Sequence, residues 1–261
     1  MERPILECIA ISTTSDEIRS GKLNMLIDSL CEEQKNNLDL IVFVNNDSYN
    51  KQQLYKLYSS KFNKIFIVNL NIHPNDDVYI RSKISENQNP TANPKYGLKS
   101  GPNIMFFNII KYCQHYDTIL LLEYDCICEK NFISKCIDYI DKTPNFLISG
   151  SIYLGSVKVH ESIRNHLNGV AFYRTGSTEF QDIINQVEEH LLYQNRITPY
   201  YDVAYDVLIY TFIAKNYRNL IDYKYITNNL IVNYSLPNDR VISLTTIREV
   251  HSNCVIIHKK L

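Results

Sequence analysis

Short apolar runs alternate with helical stripes over the first part of the chain. Three runs are short and continuous, as in strands buried on both faces: 6–12, 40–45 and 64–70. Between the first two, apolar side chains recur at i, i+3, i+4 and i+7: Leu23, Leu26, Ile27 and Leu30. This stripe predicts a helix over 17–35, and a shorter helix is predicted around Leu54, Leu57 and Tyr58. A β-α-β-α-β order favours a parallel sheet covered by helices on both faces, so we predict an α/β fold.

The same two patterns return after residue 100. Further strands are predicted at 118–122, 145–149, 170–173, 230–233 and 255–258. Helices are predicted after Ser100, which can cap the first of them, over 131–142 and 178–193, and from Asp202 through Ile213. In the helix over 131–142, four apolar residues are expected to face inward: Phe132, Cys136, Ile137 and Ile140. Residues 150–159 have the pattern of a hairpin or loop.

The polar segment 71–99 interrupts this alternation. It contains three prolines and many asparagines, and it carries four basic residues: Arg81, Lys83, Lys95 and Lys99. Connections this long in a compact domain are usually functional or disordered. The segment can therefore be a lid over an anionic ligand, or a mobile insertion.

Composition narrows the class of protein. With 261 residues, 45% of them hydrophobic and 21% charged, the chain can bury one substantial core. The net charge of −1 argues against a general nucleic-acid or membrane surface. No apolar run is long enough for a membrane span, and the N-terminus does not resemble a signal peptide. The seven cysteines, mostly in apolar segments, indicate reduced thiols, so we expect a cytoplasmic protein, in the host cytoplasm if viral.

Two carboxylates directly follow the most apolar predicted strand. The stretch 118–125 reads TILLLEYD, so Glu123 and Asp125 leave the strand two residues apart and point the same way. Paired oxygen ligands at the C-terminal end of a strand suit a divalent cation with a diphosphate on its far side. Two solvated acids in a turn are the alternative.

Other polar residues, and one glycine, lie where predicted elements begin or end. They are Thr13, Thr14, Asp16, Asn45, Lys99, Asn103, His166, Asn168, Gly169, Asp202, Asp206, His258 and Lys260. Asp202 and Asp206 are predicted to lie one above the other on a single helix, at i and i+4. For Asp202 the alternative is a plain helix cap, for Asp206 a solvated helix face, and for His258 a frayed basic chain end. The glycine motifs of dinucleotide-binding proteins, P-loop NTPases and α/β-hydrolases are absent from the sequence.

The order of these parts resembles the GT-A fold glycosyltransferases, which use a nucleotide-diphosphate sugar and usually Mn²⁺. Three features carry the resemblance over nearly the whole chain: the run 9–14 with its helix and the strand at 42–45, the Glu123-Tyr124-Asp125 motif, and Asn168-Gly169-Val170 followed by an aspartate-bearing helix and His258. The resemblance implies a single three-layer α/β/α domain over 1–261 with a mostly parallel sheet. Within it, 1–125 would form a Rossmann-like nucleotide-sugar-binding half and 126–261 an acceptor-binding half.

The resemblance also implies residue roles. Thr13, Thr14 and Asp16 would line the nucleotide pocket, with Asn45 near the base, and Lys99 and Asn103 would approach the diphosphate or ribose. Asp125 and His258 would bind Mn²⁺ or Mg²⁺, Glu123 would meet the ribose, the metal or its water, and Lys260 would touch a phosphate. His166, Asn168 and Gly169 would border the acceptor pocket. Glu123 stands where the family usually has aspartate, which puts a strict Mn²⁺ requirement in doubt.

The implied reaction is transfer of a hexosyl or pentosyl group, with a UDP-sugar as the favoured donor, to a hydroxyl of a glycan or glycoconjugate. Asp202 or Asp206 would be the general base of an inverting reaction, with Asp202 favoured, and a retaining reaction is the alternative. Two other classes stay open. One is a non-catalytic module of this fold that binds nucleotides or glycans. The other is a sugar nucleotidyltransferase, although its glycine-rich loop is missing after the first strand.

Overall fold

The computed structural model describes residues 4–14, 18, 20–30, 37–45, 52, 56, 59–79, 92–154, 160–234 and 244–259. Its strands are β1 Leu6–Thr14, β2 Asp39–Asn45, β3 Ile65–Asn69, β4 Thr118–Glu123, β5 Cys126–Cys128, β6 Ile148–Leu154, β7 Leu167–Tyr173, β8 Tyr225–Thr227, β9 Ile231–Tyr234 and β10 Ile256–Lys259. Its helices are α1 Lys22–Leu30, α2 Ser100–Tyr112, α3 Phe132–Lys142, α4 Thr178–Ile197, α5 Tyr205–Asn216, α6 Arg218–Tyr223 and α7 Leu244–Val250. None of the helices within these ranges has the length and apolarity needed to cross a bilayer.

The described strands form one sheet in the order β3-β2-β1-β4-β7-β6-β9-β10-β5, with β8 beside β6. The first four strands of this order are parallel to one another. β7 is antiparallel to both of its neighbours, β4 and β6. β9 is parallel to β6 and to β10, whereas β5 is antiparallel to β10. The prediction of a mostly parallel α/β sheet is confirmed.

Alternate residues of the central strands face two separate cores, because side chains of a strand point to opposite faces in turn. Ile9 and Ile11 of β1 pack with the apolar stripes of α1 and α3. Cys8 and Ala10 of the same strand pack with α2, α4 and α5 on the other face. The sheet is therefore the middle layer of three, as predicted, and the continuous apolar strands reflect burial on both sides.

Several element boundaries differ from the predictions. β6 runs through Gly150 to Leu154, so the predicted hairpin or loop begins too early, and 155–159 lie outside the described residues. In α3, Ile133 is buried and Ile137 is 40% exposed, because the inward stripe is Phe132, Ile133, Cys136 and Ile140. Ser100 does not cap α2. It begins the helix, after a 3-10 turn at Gly97–Lys99, and its Oγ accepts a hydrogen bond from the Tyr96 N–H.

Other predicted features lie partly or wholly outside the described residues. These are the shorter helix around Leu54, Leu57 and Tyr58, the basic residues Arg81 and Lys83, and the site candidates Asp16 and Lys260. Six of the seven cysteines are described, and all six are buried and free, as predicted; Cys31 falls outside.

Two distant segments, 92–103 and 195–203, are tied together beside α2. The buried Asn195 donates through its Nδ2 to the carbonyl oxygens of Pro94, at 2.6 Å, and Lys95, at 3.1 Å. The Leu98 N–H donates to the Tyr201 carbonyl oxygen at 3.0 Å. Gly97 has φ +74°, and an added Cβ would lie 2.0 Å from that same Tyr201 oxygen. A close backbone approach therefore places Lys99 next to the chain that enters α5.

Candidate functional site

The sheet topology gathers polar residues at one edge. β1 and β4 are parallel, with Ser12 paired to Glu123, so their C-terminal ends meet there. β7 runs the other way and pairs Leu121 with Ala171. Continuing this register by two residues places Gly169 level with Glu123. The start of β7 and the ends of β1 and β4 therefore share one edge, as expected for ligand sites of open α/β sheets.

The last strand brings a histidine to the same place. β5 follows Asp125 directly and pairs antiparallel with β10, with Cys126 opposite His258. This pairing brings His258 beside Asp125 although the two residues are 133 positions apart in the sequence. The three side chains Glu123, Asp125 and His258 offer ligand atoms that all lie within 4.8 Å of one another.

The His258 ring faces both carboxylates. Its Nε2 lies 3.2 Å from Glu123 Oε2 and 3.1 Å from Asp125 Oδ1. The His258 and Asp125 side chains are almost fully buried, at 2% and 5% exposure, whereas the Glu123 side chain is 29% exposed. Glu123 is therefore the member of the trio that solvent or a ligand can reach most easily.

The two carboxylates of this trio favour a positive charge between them. Burial lowers the pKa of His258, but the negative charge of Glu123 and the adjacent Asp125 carboxylate outweigh it and raise this pKa to about 10. Both His258 Nε2 and Asp125 Oδ1 are buried without an aligned hydrogen bond in the described part of the chain, although only 3.1 Å separates them. Buried polar atoms without such a bond are rare, because they forfeit the energy of their hydration. His258 Nε2 lies between the two carboxylates, so a metal ion that replaced its proton would be within reach of all three side chains.

The donor set fits a divalent metal ion. Two carboxylates and one imidazole combine the hard oxygen ligands of Mn²⁺ and Mg²⁺ with a nitrogen that Mn²⁺ accepts more readily than Mg²⁺ does. Three ligands from the protein leave the remaining coordination positions for oxygens from water or a phosphate. Asp125 Oδ1 and His258 Nε2, the two buried atoms without an aligned hydrogen bond in the described residues, are the ones that a metal would satisfy.

A second pair of titratable groups lies near the start of β7. His166 Nε2 is 3.9 Å from Asp206 Oδ2, and the two side chains are 5% and 14% exposed. The Nδ1 of His166 is 2.5 Å from the Ile163 carbonyl oxygen, so Nδ1 carries the proton in that contact. Nε2 is then the ring atom that faces Asp206.

Gly169 positions the helix that carries Asp206. A Cβ on Gly169 would lie 1.8 Å from the Tyr205 hydroxyl oxygen, so the tyrosine ring occupies the space that a side chain would need. The same ring stacks on Phe106 of α2, with centroids 4.0 Å apart and planes 7° from parallel. Next to this contact, Asn168 is buried, and its Oδ1 accepts a hydrogen bond from the Val170 N–H. The predicted acceptor residues thus lie beside Asp206, mostly out of solvent.

The predicted pairing of Asp202 and Asp206 on one helix is wrong. α5 begins at Tyr205, so Asp206 is in its first turn and Asp202 precedes the helix. The Asp202 carboxylate instead lies 3.1 Å from Lys99 Nζ, with side chains 45% and 13% exposed, respectively. The Lys99 ammonium also lies 5.2 Å from the centre of the Tyr79 ring. The Lys99–Asp202 ion pair therefore forms because segments 92–103 and 195–203 contact each other, and it does not depend on helical spacing.

Of the next nucleotide-site candidates, Thr13 and Asn45 are buried, whereas Thr14 is exposed. Thr13 and Thr14 belong to the end of β1, and Thr13 is 2% exposed, so the predicted loop starts too early. Asn45 donates to Asp77 Oδ2 at 2.8 Å and accepts from the Ile72 N–H at 3.0 Å. It therefore holds the segment after β3 against the end of β2. Burial raises the pKa of Asp77.

Asn103 has no exposed surface. Its Nδ2 donates to the Val203 carbonyl oxygen at 3.0 Å, which joins α2 to the chain before α5. A side chain with 0% exposure reaches a diphosphate only if the segments around it move.

Sequence reasoning missed two residues at this edge. Asn233 of β9 contacts His258, and Tyr205 fills the space over Gly169. Asn233 follows an apolar run in the sequence, as Asn45 does, and this position at the end of a predicted strand is the signal that could have identified it.

Comparisons with known proteins agree with this architecture. No family model matches the chain, and no curated protein matches it. Mouse xyloside xylosyltransferase 1, in its apo form, superposes with a TM-score of 0.57 at 12% identity over 98% of each chain. The WbbM bifunctional glycosyltransferase gives 0.57 at 13% identity, over 99% of this chain and 46% of the other. The galactosyltransferase LgtC, in complex with donor and acceptor sugar analogs, gives a TM-score of 0.53 at 10% identity, over 97% of this chain and 86% of its own.

At these identities the likeness establishes the fold. The protein has the GT-A fold, with its polar edge at the C-terminal ends of β1 and β4.

Proposed function

We propose that this protein is a glycosyltransferase that moves a sugar from a nucleotide-diphosphate sugar to a hydroxyl of a glycan or glycoconjugate, with help from a divalent metal ion. The observation that carries the proposal is the convergence of Glu123, Asp125 and His258 within 4.8 Å at the polar edge of a GT-A sheet. Three structural neighbours support it, since each is a glycosyltransferase. Of Mn²⁺ and Mg²⁺, we favour Mn²⁺, because Mg²⁺ prefers oxygen ligands and the donor set includes an imidazole nitrogen.

The donor would lie across the ends of β1 and β2, in the half of the chain up to residue 125. Thr13, Thr14 and Asn45 end these strands and would border the nucleoside, for which we favour uridine. A bound Mn²⁺ would supply positive charge opposite the diphosphate, which becomes more negative as the glycosidic bond breaks. Lys99, whose ammonium pairs with Asp202 in the structure, would add to this positive charge.

The acceptor would lie against residues 126–261, where His166, Asn168 and Gly169 begin β7. In an inverting reaction a carboxylate removes the proton of the acceptor hydroxyl as its oxygen attacks the anomeric carbon. We propose Asp206 for this role, because its carboxylate is 14% exposed and faces His166 at the same edge as Glu123. Asp202 is the second candidate, but its carboxylate is engaged by Lys99.

The test is donor turnover by the purified protein. UDP-, GDP- and dTDP-sugars would each be incubated with Mn²⁺ and a mixture of mono- and oligosaccharide acceptors, and release of the nucleoside diphosphate would be measured. Release that depends on both metal and acceptor, and that is lost in Asp125→Asn, is the expected result. Nucleotide binding without release would favour the non-catalytic module. Consumption of a nucleoside triphosphate with release of pyrophosphate would favour a nucleotidyltransferase.

A further inference from the structure

Asn233 and His258 lie side by side in the sheet. β9 and β10 are parallel, and their register pairs these two residues directly. Both are buried, with 0% of Asn233 and 1% of His258 exposed. Their side chains meet, with Asn233 Oδ1 lying 2.8 Å from His258 Nδ1. No sequence motif joins these residues, and the strand pairing alone brings them together.

A third strand sets the orientation of the Asn233 amide. Asn233 Nδ2 donates a hydrogen bond to the Ser151 carbonyl oxygen of β6 at 2.9 Å. This bond turns Oδ1 toward His258, and an amide oxygen can only accept. The proton of the 2.8 Å contact therefore belongs to His258 Nδ1. The ring is held with Nε2 directed at Glu123 and Asp125, 3.2 Å and 3.1 Å away.

We infer that Asn233 is a positioning residue for the metal site, a role that rests on the proposed function of that site. The relay runs from the Ser151 carbonyl through the Asn233 amide to the imidazole, and every step is buried. It keeps the ring in one orientation with a proton on Nδ1, so that Nε2 is the nitrogen that exchanges its proton for a cation. Outer partners of this kind raise metal affinity, because a ligand that is already oriented loses less freedom on binding.

The sheet offers a matched control. Asn228 also bridges β6 and the start of β9: its Nδ2 donates to Ser149 Oγ at 3.0 Å, and its Oδ1 accepts from the Leu230 and Ile231 N–H groups. It contacts neither His258 nor the acids in the described structure. Asn228→Ala thus removes hydrogen bonds from the same region without touching the relay. Asn233→Leu removes the relay, and Asn233→Asp keeps an oxygen that can accept the Nδ1 proton.

The experiment uses the full chain and two readouts. Mn²⁺ affinity is measured by the electron paramagnetic resonance signal of free Mn²⁺, and the His258 ring is followed by ¹⁵N NMR in metal-free protein. Asn233→Leu is expected to weaken Mn²⁺ binding about 10- to 100-fold. It should also change the His258 nitrogen shifts. Asn233→Asp should stay closer to wild type than Asn233→Leu, and Asn228→Ala should bind Mn²⁺ like wild type.

Two results would overturn the inference: wild-type affinity in Asn233→Leu, or an equal loss in Asn228→Ala. Failure of the proposed function has a different signature, because wild-type protein would then bind no Mn²⁺ at all. The NMR readout decides in that case, since unchanged His258 nitrogen shifts in Asn233→Leu mean that Asn233 does not orient the ring.

Discussion

Single residues in the Glu123, Asp125 and His258 trio differ mainly in burial. The Asp125 and His258 side chains are nearly inaccessible to solvent, so they can contact only a group that lies between them. The Glu123 side chain, by contrast, is 29% exposed. Glu123 can therefore reach a second group, such as a ribose hydroxyl or a metal-bound water, while still contributing charge. Under the proposed function, this difference would give the two acids separate roles despite their spacing of two residues.

Loss of the Asp125 carboxylate should abolish tight metal binding. Asp125→Asn is expected to lower Mn²⁺ affinity by more than about 100-fold, since losing a direct ligand costs more than losing an outer partner. Free Mn²⁺ measured by electron paramagnetic resonance gives the affinity. The control is Asp138→Asn, whose carboxylate is 62% exposed and pairs with Lys142 on the surface of α3. Equal Mn²⁺ affinity in wild type and Asp125→Asn would remove Asp125 from the metal site.

The two candidate bases should separate in steady-state kinetics. Asp206→Asn is expected to lower kcat about 10²- to 10⁴-fold, the usual contribution of a general base, with the donor KM little changed. Asp202→Asn should change kcat only a few-fold, because Asp202 is 45% exposed and pairs with Lys99. Nucleoside diphosphate release measures both. The opposite ranking would assign the base to Asp202, and two near-normal variants would favour a retaining reaction.

Among the secondary-structure elements, the chain that enters α5 is positioned by contacts with α2 and β7. Tyr205 lies over Gly169 of β7 and stacks on Phe106 of α2, so the first turn of α5 has a defined position. The preceding residues are held by the backbone contact between Gly97 and Tyr201. Asp206 and Lys99 therefore depend on packing between elements that are about 100 residues apart in sequence.

The Gly97 contact can be tested against a second glycine of similar backbone conformation. Gly97 and Gly21 have φ of +74° and +77°, but an added Cβ on Gly21 meets nothing within 4 Å. Gly21→Ala should cost about 1–2 kcal/mol for left-handed strain alone. Gly97→Ala should cost at least about 1–3 kcal/mol more, because its Cβ would overlap the Tyr201 carbonyl. Chemical denaturation measures both, and equal losses would contradict the close approach.

At the scale of the whole molecule, ligand binding should appear as added stability. A nucleoside diphosphate with Mn²⁺ at 100 times its dissociation constant adds about 2.7 kcal/mol, which raises Tm by several degrees in a chain of this size. UDP, GDP and dTDP would be compared with and without Mn²⁺, and EDTA should reverse the shift. Asp125→Asn serves as the control, because it should lose the metal-dependent part. No shift with any nucleotide would contradict a metal–diphosphate site.

Local sequence pattern was sufficient for most of the architecture. Strands buried on both faces and amphipathic helices have distinct periodicities, and their alternation predicted the three-layer α/β sheet, which the structure confirms. The same reasoning singled out Glu123 and Asp125, since a polar residue directly after a buried strand lies at the sheet edge. His258 was singled out in the same way, at the end of the last strand.

Only the tertiary structure decided which polar groups meet. Strand order and register depend on packing over the whole chain, so the pairing of β10 with β5 and β9 could not be read locally, and Asn233 was missed. The i, i+4 spacing of Asp202 and Asp206 predicts that both lie on one helix. In the structure the helix begins only at Tyr205, and Asp202 precedes it, where its carboxylate pairs with Lys99. Periodicity determines which face of an element is apolar. The distances between charged atoms are determined by contacts between residues far apart in the sequence.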